Sequence, residues 1–176
     1  ELCPEGVEHR RLGEIGTFAR GTGLQKNQLR QSGVPAIHYG QVHTHYGVWT
    51  DESLSFVSAE LGSKLRKAAP GDLVIATTSE DDESVGKATA WLGKESAAVS
   101  GDAFIFSHSV DPKYVSYFFQ SAAFQRQKRR FLTGAKVRRI SSRGLEKIRI
   151  PVPPPEIQQE VVRILDAFTE LEAELE

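Results

Sequence analysis

The chain has 176 residues, enough for one domain with a hydrophobic core, and its 39% hydrophobic and 26% charged content excludes wholesale disorder. It holds no run of ~18 apolar residues for a helical membrane span and no charged-then-apolar leader, and its single cysteine, Cys3, excludes an intramolecular disulfide; a cytoplasmic location is expected. The net charge of −1 hides a segregation, because residues 126–149 carry ten basic side chains against Glu146 alone, whereas residues 156–176 carry seven acids against Arg163 alone.

Short apolar or alternating runs predict strands at 36–42, 46–50, 73–77, 88–92 and 103–106, separated by Gly-, Asp- and Ser-bearing turns. Between them, Ser58 is positioned to cap a short helix over 59–67, closed by Pro70-Gly71. A longer helix is expected from Pro112, capped by Asp111, with Val115, Phe118, Phe119 and Ala122 on its apolar face. It should run through 126–130 and stop before Gly134. A last strand, 147–152, places Ile148 and Ile150 on one face and Lys147 and Arg149 on the other. Pro153, Pro154 and Pro155 form a stiff spacer, and a helix starts near Glu156. Its apolar positions Ile157, Val161, Ile164, Phe168, Leu171 and Leu175 are spaced 4, 3, 4, 3 and 4 apart, a heptad seam that wants a helical partner. The alternative is a helix folded back on the domain, with Val162 and Leu165 widening the face. The fold expected is α+β: a twisted, mainly antiparallel or mixed sheet domain with a few helices over 1–152, then a spacer and the start of a coiled-coil-type helix over 153–176. With no methionine and a last residue inside a helical pattern, the chain reads as a segment of a longer protein.

The basic block offers two readings from its residues alone, a nucleic-acid backbone site or a solvated patch that pairs with acidic helices. Several enzymatic readings fail on inspection. His43 and His45 share one face if the segment is a strand, but zinc needs a third and usually a fourth ligand, and no second cysteine exists. Glu80-Asp81-Asp82-Glu83 invites a magnesium nuclease reading, yet consecutive carboxylates diverge, and a solvated loop or an acceptor for cytosine N4 suits them better. Gly86-Lys87 lacks the rest of a Walker A loop, and Gly21-x-Gly23 has Lys26 where a third glycine belongs. Pro153-Pro154-Pro155-Glu156 lacks the leading amide and stacking aromatic of a flipped-base site. No catalytic residue, metal or cofactor is expected.

Several segments together resemble the specificity subunits of type I restriction–modification systems. Ile150-Pro-Val-Pro-Pro-Pro-Glu-Ile-Gln-Gln-Glu-Val-Val-Arg-Ile-Leu-Asp-Ala-Phe168 is similar to that family's proline-rich exit into a helix, although Glu156-Ile157-Gln158-Gln159 departs from the usual spelling. Lys67-Ala-Ala-Pro-Gly-Asp-Leu-Val-Ile-Ala-Thr-Thr78 and Val85-Gly86-Lys87 are similar to its "GD(I/L)L" strand and "IGK" segment. Val7-Glu-His-Arg-Arg-Leu-Gly-Glu-Ile15 and Thr133-Gly-Ala-Lys-Val-Arg-Arg-Ile-Ser141 match its opening and penultimate segments, and Gly21-Thr22-Gly23 stands at a glycine turn whose usual proline is missing.

The resemblance implies a non-catalytic target recognition domain that reads one half of a split double-stranded DNA target. It implies adenine methyltransferase subunits as partners, a translocating restriction subunit in the full complex, and a second recognition half or second copy through the helix seam. Phosphate contacts are then expected from Lys26, Arg126, Lys128, Arg129, Arg130, Lys136, Arg138 and Arg139. Base-reading candidates are Gln25 and Asn27 after the first glycine turn, His43, His45 and Tyr46 at an expected hairpin tip, and Thr77, Thr78 and Ser79 at the end of a buried strand. The rival functions are a protein-interaction adaptor whose basic face binds acidic helices and, further off, the metal-dependent nuclease.

Overall fold

In the computed structural model of the chain, which describes residues 6–175, the run 73–76 alternates between two cores. Leu73 and Ile75 point to one and Val74 and Ala76 to the other, as the two-residue period of a strand requires. Cys3 and the side chain of Leu175 lie outside the described residues.

The elements in chain order begin with β1 (His9–Arg11), α1 (Leu12–Ile15), β2 (Gly16–Arg20), β3 (Val34–Ile37), α2 (Tyr39–Thr44), β4 (Trp49–Thr50), β5 (Ser55–Val57) and α3 (Ala59–Lys64). The centre of the chain supplies β6 (Lys67–Ala68), β7 (Leu73–Ala76), β8 (Thr78–Ser79), β9 (Ala88–Trp91), β10 (Ala97–Val99) and β11 (Ala103–His108). Then follow α4 (Pro112–Gln120), α5 (Ala122–Lys128), β12 (Leu132–Thr133), β13 (Arg138–Ile140), α6 (Ser142–Glu146), β14 (Arg149–Pro151) and α7 (Pro155–Leu175).

A five-stranded sheet, β2-β11-β7-β9-β4, is antiparallel except at its β9–β4 edge. One face packs under α4 and α5 through Val115, Phe118, Phe119 and Phe124, with Leu12, Ile148 and Ile150 completing that core. The other face, bearing Val74, Trp91 and Ile105, meets α2 and the β5-β3-β10-β6 sheet through Val42, Ile37, Ala97 and Val99. Each fully buried large apolar side chain contributes about 1.5–3 kcal/mol. β1 pairs with β14, which brings the two ends of the domain together. The α+β class with mixed sheets and a C-terminal helix is as expected.

Local chemistry explains where the elements differ from expectation. The run 36–42 is not one strand: after β3, His38 caps α2, its ring accepting from the Gly40 amide at 3.2 Å while the His38 amide donates to Gln41 Oε1 at 2.9 Å. Only Trp49–Thr50 of the run 46–50 is strand. The Ser58-capped helix stops at Lys64, and Lys67–Ala68 pairs with β10 instead. The long helix after Pro112 breaks at Ser121, whose extended backbone lets its hydroxyl accept from the Phe124 amide at 3.2 Å and start a new helix.

Helix α7 uses two faces. Val162 joins the core, Gln158 accepts from the Asp111 amide at 3.0 Å, and Asp166 binds Lys113 at 2.8 Å and the Tyr117 hydroxyl at 2.7 Å. Burial leads the effects that push the Tyr117 phenol up to about 12. Ile164, Phe168 and Leu171 are 42%, 62% and 56% exposed along the seam, while Ile157 and Val161 are half-buried.

Candidate nucleic-acid interface

Three segments meet at one end of the molecule. The β12–β13 hairpin adds to β8, with Arg138 opposite Ser79 and Arg139 opposite Thr78. The loop after β8, residues 80–86, is pinned to the end of α5 because Lys128 donates to the carbonyls of Glu83 at 2.9 Å and Val85 at 2.7 Å. α2 closes the third side: His43 donates through Nε2 to the Thr78 carbonyl at 2.9 Å, and Lys87 donates to the His43 carbonyl at 3.0 Å. Because a carbonyl only accepts, this bond fixes the proton on Nε2.

The hairpin depends on Gly134. Its φ of +89° is in the left-handed region, and a Cβ there would lie 2.0 Å from the Val137 carbonyl oxygen. Gly134→Ala is expected to cost more than ~1 kcal/mol and to detach the hairpin from β8. Thermal unfolding together with amide-exchange protection at Ile140, whose amide donates to the Thr77 carbonyl at 3.1 Å, checks this; unchanged values for both would show that the turn relaxes without cost.

The expected cations separate into three groups. Arg126, Arg129, Arg130, Lys136 and Arg139 are exposed around the α5 end and the hairpin, and Lys26 is exposed on a short turn beside β2. Arg138 is engaged with Asp82 and with the Gly134 carbonyl. Lys128 corrects the sequence reading: it is 0% exposed, and burial drives its amine down to about 8 despite nearby Asp81 and Asp82. A side chain with no surface reaches no phosphate, so Lys128 is a strut.

The base-reading candidates divide similarly. His43, Thr44, His45 and Tyr46 form the end of α2 and its exit, not a hairpin tip. Tyr46 is buried with its hydroxyl accepting from the Leu54 amide at 2.8 Å, and Thr77 is buried with its hydroxyl donating to the Asp102 carbonyl at 2.9 Å. Neither side chain reaches the surface to meet a base. His45 is exposed but does not line the concavity beside β8. That concavity, about 550 Å³, gathers His43, Thr78 and Ser79. Gln25 and Lys26 line a neighbouring one of about 650 Å³, and Asn27 lies on a third beside Arg30 and Lys64.

Tyr39 lines both the concavity beside β8 and its 650 Å³ neighbour, and Val137, 44% exposed between Lys136 and Arg138, lines the one beside β8. Sequence reasoning missed both. Tyr39 sits beside His38, whose ring titration is lowered by burial and then by Lys26. The acidic loop is internally tied: Asp81 accepts from the Ser84 amide at 2.6 Å and the Glu83 amide at 2.9 Å, and the Ser84 bonds hold its carboxyl below the ordinary range. Among the described residues, no group of three or more His, Cys, Asp and Glu side chains could hold a metal ion. No helix is long and apolar enough to cross a membrane, again among the described residues.

Residues 4–176 match the family model described as the type I restriction modification DNA specificity domain. The type I restriction enzyme StySPI specificity subunit of Salmonella potsdam is 25% identical, over 94% of this chain and 36% of that protein. The chain thus spans about a third of the length of the curated relatives it matches. Among solved structures, a chain of the type I R-M system studied for its complex assembly and conformational transition superposes with a TM-score of 0.69 at 20% identity, over 98% of this chain and 40% of that one. The HsdS subunit from Thermoanaerobacter tengcongensis gives a TM-score of 0.66 at 19% identity, over 98% of this chain and 39% of that one. These similarities show a shared fold.

Proposed function

We propose, from the premise that this chain belongs to the type I restriction modification DNA specificity domain family, that it reads one half of a split target on double-stranded DNA and carries out no chemistry itself. The observation that carries this reading is the exposure of Arg129, Arg130, Lys136 and Arg139 around the end of α5 and the β12–β13 hairpin, which pairs with β8 where Thr78, Ser79 and Val137 line a concavity. Cations supply sequence-independent attraction to phosphates, and groups on a rigid floor read base edges. Residues 1–152 are the recognition domain in this proposal, and 153–176 are the spacer and the start of a coupling helix. Exposed Ile164, Phe168 and Leu171 suit a helical partner, from a second recognition half or a second copy. Adenine methyltransferase subunits, joined in the full complex by the translocating restriction subunit, would act on what this domain selects.

The test is to express the full-length protein with its methyltransferase partner in a methylation-free host and map methylated adenines. A split motif is expected, with one half changing when residues 12–150 are exchanged for those of another recognition domain. A motif indifferent to the exchange, or a stable complex that methylates nothing, would favour an adaptor function instead.

A further inference from the structure

The concavity beside β8 is lined by Tyr39, His43, Thr44, Thr78, Ser79 and Val137, and its wall includes Glu80 and Asp81 of the acidic loop. Most of its polar side chains are already engaged. Thr44 donates its hydroxyl to the Gly40 carbonyl at 2.9 Å, His43 is bound to the Thr78 carbonyl, and Ser79 donates to Asp81 at 3.3 Å. Asp81 in turn is occupied by two amides. The Tyr39 hydroxyl, the Thr78 hydroxyl and the Glu80 carboxylate are not so engaged, and the apolar contact that the concavity offers a ligand is the ring of Tyr39 with the methyl groups of Val137. Val137 is an aliphatic side chain left 44% exposed between Lys136 and Arg138. Exposed Lys136 and Arg139, with Arg129 and Arg130 across the 80–86 loop, attract a polyanion, while Glu80 and Asp81 in the wall repel its phosphates, so the occupant is duplex DNA whose backbone lies on the cationic rim and whose base edges face the concavity.

In the major groove the base-edge feature matched by an apolar contact is the C5-methyl group of thymine, which no other base carries. We propose that Val137 and Tyr39 are specificity-determining residues that select a thymine in the half-site through its methyl group. This rests on the DNA-reading function above and adds a residue-level rule to it.

Deoxyuridine isolates the methyl group, because it keeps every hydrogen-bonding group of thymine and every phosphate while removing only that carbon. The full-length protein is used to enrich duplexes from a random pool containing thymine and from the same pool made with deoxyuridine. Wild type should recover one half-site from both, with the preference at one thymine position about fourfold weaker in the deoxyuridine pool, equivalent to the ~0.8 kcal/mol of one buried carbon. Val137→Ser, at a half-exposed turn position where the fold makes little demand on the side chain, should show the weaker preference in both pools. A thymine preference that is identical in the two pools, or a methyl effect that survives Val137→Ser, overturns the inference and leaves sequence reading intact. No enriched motif in either pool would overturn sequence reading, and this inference with it.

Discussion

Replacing Lys128 by methionine is expected to destabilise the domain by roughly 2–3 kcal/mol at pH 7 without changing the salt dependence of DNA binding. The substitution keeps most of the buried stem but leaves the Glu83 and Val85 carbonyls without their donor. Each buried polar group left unpaired costs ~1–3 kcal/mol, and water reaching Glu83 offsets part of that. The pH dependence gives an independent check. Burial lowers the Lys128 amine to about 8 in the folded state, against ~10.4 in an unfolded chain. Between those values the unfolded chain holds more protons than the folded one, so the lysine's contribution to stability rises with pH across that window. Below it both states are protonated and the contribution is constant. The gap between wild type and Lys128→Met should therefore widen from pH 8 to 10.5, by up to roughly 3 kcal/mol. Denaturant unfolding at pH 7, 8.5 and 10 measures it. A gap that narrows as pH rises would mean that the folded state favours the charged amine.

The fate of Lys128 also illustrates what a sequence conceals. In a run of basic residues, charge alone cannot say which side chain faces inward, whereas helix phase can. Phe124 and Lys128 are four apart, so they share a face, and Phe124 is fully buried. Applied to α5, that periodicity separates Lys128 from its exposed neighbours. The strands β7, β9 and β11 and the start of α4 were legible because their patterns and caps are local. α2 was not, because residues 39–44 suit strand or helix equally until His38 and Gln41 are seen to cap the turn. Tyr46 looked like a surface aromatic because its acceptor role toward the Leu54 amide depends on a loop eight residues away. Tyr39 and Val137 lie far apart in sequence and come to line one concavity through the pairing of β13 with β8. No pattern within either segment encodes that arrangement.

The exposed cations lead to the second large effect. Removing one phosphate-binding cation should reduce the slope of log affinity against log salt by about 0.9, so the triple change Arg129, Arg130 and Arg139→Ala should reduce it by roughly 2.7 and weaken binding on the order of 10²-fold at 0.1 M salt. Every sequence should weaken alike, since phosphates carry no base information. If any of the three single substitutions changed which half-site is preferred, that residue would be reading a base. Arg138 belongs to a different class, because Asp82 and the Gly134 carbonyl already hold its guanidinium. Arg138→Ala should leave the slope nearly unchanged. Asp82→Asn should steepen it by up to about 0.9, because it releases a cation beside the DNA and removes an anion from the same surface. The Asp82 side chain is half exposed, so the substitution should cost little stability. Binding measured across a salt series for these variants decides the matter. An Arg138→Ala slope as reduced as that of Arg139→Ala, with Asp82→Asn silent, would mean that DNA itself displaces the carboxylate and that Arg138 is a phosphate ligand after all.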